Sequence, residues 1–170
     1  MKKLLFAIIA TSAIAASAVD FRIEAESIGD KGSWRIGVGS ANIADKQLSA
    51  DHKAAENAPA VGVYNCPEDG RYYVWVRTFT VGEKYRKTEV KLNGKVIGKF
   101  GDEGSKRSTP EMTWKRTLGA TQLAAGELKI EFKALSKYSR IDSLIFTTDQ
   151  NFKPGDKAAV QEIPELDCEY

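Results

Sequence analysis

The run Arg71-Tyr72-Tyr73-Val74-Trp75-Val76-Arg77-Thr78-Phe79-Thr80 constrains this chain more than any other stretch. Its aromatic and β-branched side chains suit a pleated surface, and no helical period passes through them. Such a strand belongs at the centre of a sheet. Just before it, Pro67-Glu68-Asp69-Gly70 reads as a turn in which proline presets the backbone. After it, Thr88-Glu89-Val90-Lys91-Leu92 and Lys95-Val96-Ile97-Gly98-Lys99-Phe100 alternate on either side of Asn93-Gly94, the strongest short-range signal of a hairpin. Residues 21–26, 60–64, 112–118, 127–135 and 141–147 supply further strands, whereas 27–40 is rich in turns and holds Trp34, and 41–60 offers at most a helical turn, stopped by Pro59. Short strands, frequent turns and no sustained helical period predict an all-β chain folded as an antiparallel β-sandwich.

The two ends bound the domain. Met1-Lys2-Lys3, an apolar stretch over residues 4–15 and Ala16-Ser17-Ala18 read as a signal peptide over residues 1–18. The expectation is a secreted or periplasmic product with no membrane span after cleavage, a sandwich over 19–150 and a polar tail over 151–170. Loss of Lys2 and Lys3 takes the formal charge from +2 to zero, but the charge is uneven. Residues 71–140 hold sixteen Lys/Arg against seven Asp/Glu, while the flanking segments are net acidic, so the middle of the chain is a basic band. The two cysteines, Cys66 and Cys168, are expected to form one disulfide in an exported protein, pinning the tail to the loop after Tyr64.

Two carboxylates, Glu24 and Glu26, fall on one face of the first strand, roughly 7 Å apart. A third, Asp142, interrupts the apolar run Ile141-Asp142-Ser143-Leu144-Ile145-Phe146 on the face of Leu144 and Phe146, where an unpaired charge is costly. Something must compensate it. Spacing alone leaves two readings: solvated glutamates with Asp142 paired to Arg140 or another cation, or a hard cation gathering all three.

The segments Ile23-Glu24-Ala25-Glu26, Pro67 through Arg77, Leu92-Asn93-Gly94, Leu123-Ala124-Ala125-Gly126-Glu127-Leu128 and Arg140-Ile141-Asp142-Ser143-Leu144 together resemble carbohydrate-binding modules of families 6 and 35. The resemblance covers roughly residues 20–148. It implies a galactose-binding-like β-jelly roll and a structural calcium ion held by Glu24, Glu26, Asp142 and backbone carbonyls. It also implies a polysaccharide or oligosaccharide ligand, bound by loop aromatics that stack on sugar rings. Trp34, Tyr64, Tyr85, Trp114 and Tyr138 are the candidates, with Trp75 assigned to the core.

Family 6 often carries asparagine two residues before the closing aspartate, and this chain has Arg140. With Lys84, Arg86, Lys106, Arg107, Lys115, Arg116 and Lys137 also in loops, the departure points to an acidic ligand, a uronate-containing or sulfated glycan. An enzyme is hard to build: His52 is the only histidine and belongs to no nucleophile motif, and Glu24 and Glu26 are neighbours rather than an opposed acid and base. Export and interleaved acids argue against nucleic acid. The alternative is an exported structural or protein-interaction sandwich with an envelope protein as partner.

Overall fold

In the computed structural model, residues 20–37, 46–50, 58–80, 86–101, 111–155 and 160–166 are described. They form twelve strands: β1 (Asp20–Glu24), β2 (Trp34–Gly37), β3 (Gln47–Ala50), β4 (Ala60–Cys66), β5 (Gly70–Thr80), β6 (Thr88–Leu92), β7 (Lys95–Phe100), β8 (Glu111–Arg116), β9 (Thr121–Leu123), β10 (Gly126–Ala134), β11 (Arg140–Thr147) and β12 (Gln161–Glu162). A single 3-10 turn, Ala25–Ser27, follows β1.

The strands make two sheets, as expected for a jelly-roll sandwich. In the larger, β11 pairs with β5 along one edge and with β1 and then β3 along the other; β12 lies outside β1, β2 outside β3, and β8 and β9 outside β5. The smaller sheet runs β4-β10-β6-β7. The Asn93-Gly94 hairpin forms between β6 and β7, with φ of 49° and 79°, the left-handed pair that a two-residue turn demands.

Alternation fills the space between the sheets. Phe21 and Ile23 of β1, Tyr72, Val74 and Val76 of β5, and Leu144 and Phe146 of β11 face Leu128, Ile130 and Phe132 of β10 and Val90 and Leu92 of β6. Phe21 and Phe146 are cross-strand partners, and their rings stack at 4.5 Å. The opposite alternation places Tyr73, Trp75 and Arg77 on the outer face of β5. Trp75 is therefore half-buried on the outside, under the Arg116 guanidinium at 5.8 Å, and not in the core where its aromatic neighbours suggested.

Residues 160–166 are more than a polar tail. Ile163 N donates to Arg22 O beside β1, and Leu166 N donates to Val63 O of β4, so this segment straps one sheet to the other. Ile163 packs against the core as it crosses. No helix among the described residues is long and apolar enough to cross a membrane. The signal peptide over 1–18 lies outside the described residues.

Candidate functional site

Three local irregularities assemble the acidic cluster. β1 ends at Glu24, opposite Ser143, and the 3-10 turn carries Glu26 out of the strand, so the two glutamates do not share a strand face. The turn packs instead against β3 and β11. In β11 the register against β5 shifts between Ile141, paired with Thr78, and Ser143, paired with Arg77. Asp142 is the extra residue of that bulge, and a bulge re-aims the side chain it carries.

Asp142 is 4% exposed, and its Oδ2 accepts from Arg77 Nη1 at 3.2 Å and Ser143 Oγ at 3.0 Å. Arg77, rather than Arg140, is the cation that answers it. Glu24 Oε1 meets Arg22 Nη2 at 2.6 Å. Burial still pushes the Glu24 carboxyl up to about 7; Arg22 opposes this, and the charges of Asp142 and Glu26 add to it. Burial raises Glu26 as well, again with Asp142 contributing. Each glutamate thus feels the charge of the aspartate.

The donor chemistry suits a hard cation. Glu26 Oε2 and Gln47 Oε1 are buried oxygens with no hydrogen-bond partner, and Gln47 directly precedes Leu48, the register partner of Ile141. With Glu24 turned to Arg22 and Asp142 to Arg77, however, no three acidic groups among the described residues close on one point.

Next to this cluster lies a cationic cleft of about 390 Å³, lined by Arg35 and Ile36 of β2, Gln47 and Ser49 of β3, Tyr138, and Arg140 at the start of β11. Behind it, Phe79 is 3% exposed yet stands apart from the hydrophobic core. What covers its ring is arginine: the Arg86 guanidinium lies 4.1 Å from the centroid and that of Arg140 4.7 Å. Arg86 Nη1 is buried without an acceptor. Burial, and then the charge of Arg140, lower the Arg86 guanidinium to about 10. Burial lowers Arg140 too, with Arg35 contributing. None of the three arginines forms a salt bridge among the described residues.

The candidate aromatic platform is mostly elsewhere. Trp34, 5% exposed, packs against Phe132 across the sandwich, with ring centroids 6.5 Å apart. Tyr64, 1% exposed, shares a hydrogen bond with Ser27 Oγ at 3.2 Å. Both are core residues with no ring face to offer a ligand. Trp114 is half-buried on β8 beside the Arg77 guanidinium, and Tyr85 lies outside the described residues. Tyr138, 47% exposed, is the aromatic residue that shares the cleft with Arg140.

No protein-family model matches the chain, and no curated protein does. Solved structures do match. An exo-beta-1,3-galactanase from Phanerochaete chrysosporium aligns with a TM-score of 0.52 at 22% identity, over 77% of this chain and 29% of that one. The GH26-CBM35 beta-(1,4)-mannanase of Podospora anserina aligns at 0.58 and 17%, over 81% and 29%. A family 35 carbohydrate binding module from Clostridium thermocellum aligns at 0.53 and 16%, over 74% and 96%. The fold is that of a carbohydrate-binding module. The match covers less than a third of each of the two enzymes and nearly all of the isolated module.

Within this module fold, sequence reasoning named Tyr138 and Arg140, which share the cleft, and did not name Arg35 or Gln47, which line it with them, or Phe79. Phe79 sits in a strand dense in aromatics, and nothing local marks it as covered by arginine. Cys66 is a buried free thiol whose Sγ donates to Glu68 O at 3.4 Å, and burial pushes the thiol up. Its expected partner, Cys168, lies outside the described residues.

Proposed function

We propose that this chain is an exported, non-catalytic carbohydrate-binding module that takes an acidic glycan in the cleft of Arg35, Tyr138 and Arg140, and that Glu24, Glu26 and Asp142 hold a structural calcium ion. The observation that carries the ligand reading is the cleft itself: two arginines, Arg35 and Arg140, with no salt-bridged acid among the described residues, beside one exposed aromatic ring. Guanidinium groups bind carboxylate and sulfate by paired N–H donors, and a tyrosine ring covers the apolar face of a pyranose. The fold shared with binding modules supports the carbohydrate part.

The calcium reading rests on the two glutamates that burial, with the charge of Asp142 added, drives up, and on the orphaned oxygens of Glu26 and Gln47. Binding would draw Glu24 from Arg22 and Asp142 from Arg77 and tie the end of β1 to β11. Calcium supplies positive charge and oxygen coordination there, a structural contribution.

Affinity electrophoresis through gels containing acidic or neutral polysaccharides tests the function. Retardation by at least one acidic polymer, reduced by Arg140→Gln, is expected. Unchanged mobility in every gel, with specific capture of an envelope protein instead, would overturn it in favour of a protein-interaction sandwich.

A further inference from the structure

Arg86 is held in place as well as buried. Its φ of 94° is one that L side chains rarely adopt, and Tyr138, which lines the cleft, has a φ of 60°. The remaining non-glycine residue with positive φ among those described is Asn93, which the hairpin explains. Strained backbone persists where its surroundings over-determine it, and it gathers at binding sites. Here the surroundings are visible. Lys87 N donates to Ser136 Oγ at 2.6 Å, while Leu135 N and Ser139 Oγ both donate to Lys87 O at 2.8 Å. Gly101, at φ 103°, lies so close that a Cβ there would stand 2.1 Å from Arg86 O. The loop that presents Tyr138 and Arg140 is therefore bonded to the segment that presents Arg86, and the two cations are fixed relative to each other.

Two guanidinium groups against one phenyl ring repel each other, and the ring cannot accept the hydrogen bond that Arg86 Nη1 lacks. An oxyanion answers both demands. We infer that Arg86, Arg140 and Arg35 form a preorganised site for a sulfate ester, so that the acidic glycan of the proposed function is a sulfated one. This rests on that function and specifies its ligand.

The choice of sulfate over carboxylate follows from the number and origin of the donors. A carboxylate offers two oxygens in one plane, and the fork of a single arginine satisfies it. Here three arginines come from three separate segments: β2, the stretch before β6, and the start of β11. A sulfate ester carries three terminal oxygens in a tetrahedral arrangement and accepts from several directions. Guanidinium is also weakly hydrated for a cation and gives up little water to reach a buried acceptor. Tyr138 is placed to cover the sugar ring that carries the ester.

The test titrates the full chain, in calcium-containing buffer, with a sulfated galactan, the same galactan after desulfation, and polygalacturonate. Binding to the sulfated polymer at least tenfold tighter than to the other two is expected. Arg86→Gln and Arg35→Gln should each weaken it about tenfold without moving the melting temperature by more than a few degrees, while Lys129→Gln, an exposed cation on the other sheet, should leave it unchanged. Arg35 is exposed, so its variant remains informative if Arg86→Gln fails to fold. Equal or tighter binding to polygalacturonate would overturn the sulfate assignment and leave the acidic-glycan function standing. Equal losses in Arg35→Gln and Lys129→Gln would mean diffuse polyelectrolyte adsorption and overturn the site. Binding to none of the three polymers would overturn both.

Discussion

Arg77 reaches Asp142 across a β-bulge: its Nη1 donates to Asp142 Oδ2 at 3.2 Å, from the strand on which it lies opposite Ser143. The pair is lopsided, with Arg77 about a quarter exposed and Asp142 buried. Removing the cation strands a buried charge, whereas removing the charge strands a half-solvated cation. Arg77→Met should therefore cost about 2 kcal/mol in urea denaturation and Asp142→Asn less, since unpaired buried charge is the dearer defect. Calcium should recover part of the Arg77→Met loss, because it supplies the same missing positive charge.

Glu24 predicts a pH dependence in the presence of chelator. Its carboxyl titrates near 7 when folded and near 4.5 when unfolded, so the folded state holds the proton more tightly. The stability Glu24 contributes is then greatest below about 4.5, falls as pH rises toward 7, and is flat above, by about 1–2 kcal/mol once solvent screening is allowed for. Melting temperature followed from pH 4 to 8 checks it. Glu24→Gln should flatten the slope, and saturating calcium should flatten it too by holding the ionised form.

Trp34 and Tyr138 should separate stability from binding. Trp34→Ala removes a buried ring that packs across the sandwich and should cost about 3–5 kcal/mol, seen as a shifted denaturation midpoint. Tyr138→Ala should leave the midpoint nearly unchanged and weaken glycan binding about tenfold in titration calorimetry, the loss of one stacking face.

The strap over residues 160–166 should carry stability of its own. Ile163→Ala removes core-packed methylenes and should cost about 1–3 kcal/mol, and a chain ending at residue 159 should melt lower still, because Arg22 O and Val63 O lose their donors together. Differential scanning calorimetry of the two variants measures both.

The parts of this fold written in local chemistry were legible in the sequence. Asn93-Gly94 made its hairpin because only that pair tolerates two positive φ angles in succession, and the Arg71–Thr80 run became the long strand β5 because its side chains suit nothing else. That Asp142 needs an answering group was legible, since a buried acid must be paired. That Arg77 answers it, and where Glu24 and Glu26 point, was not, because alternation fails at the 3-10 turn and at the bulge. Trp34 and Tyr64 looked like loop aromatics, and their burial is decided by residues distant in sequence, Phe132 and Ser27. Arg86 lies over Phe79 where Gly101, Ser136 and Ser139 hold the backbone at Arg86 and Lys87, which no spacing rule encodes.

A crystal structure of the chain grown with calcium and a sulfated galactan oligosaccharide tests the central claim most directly. The account predicts the ester oxygens within hydrogen-bond distance of Arg86 Nη1 and of Arg140, with the sugar ring over Tyr138. The same oligosaccharide lying on the outer sheet face between Trp75 and Trp114, with the arginine cleft holding only solvent, would contradict it.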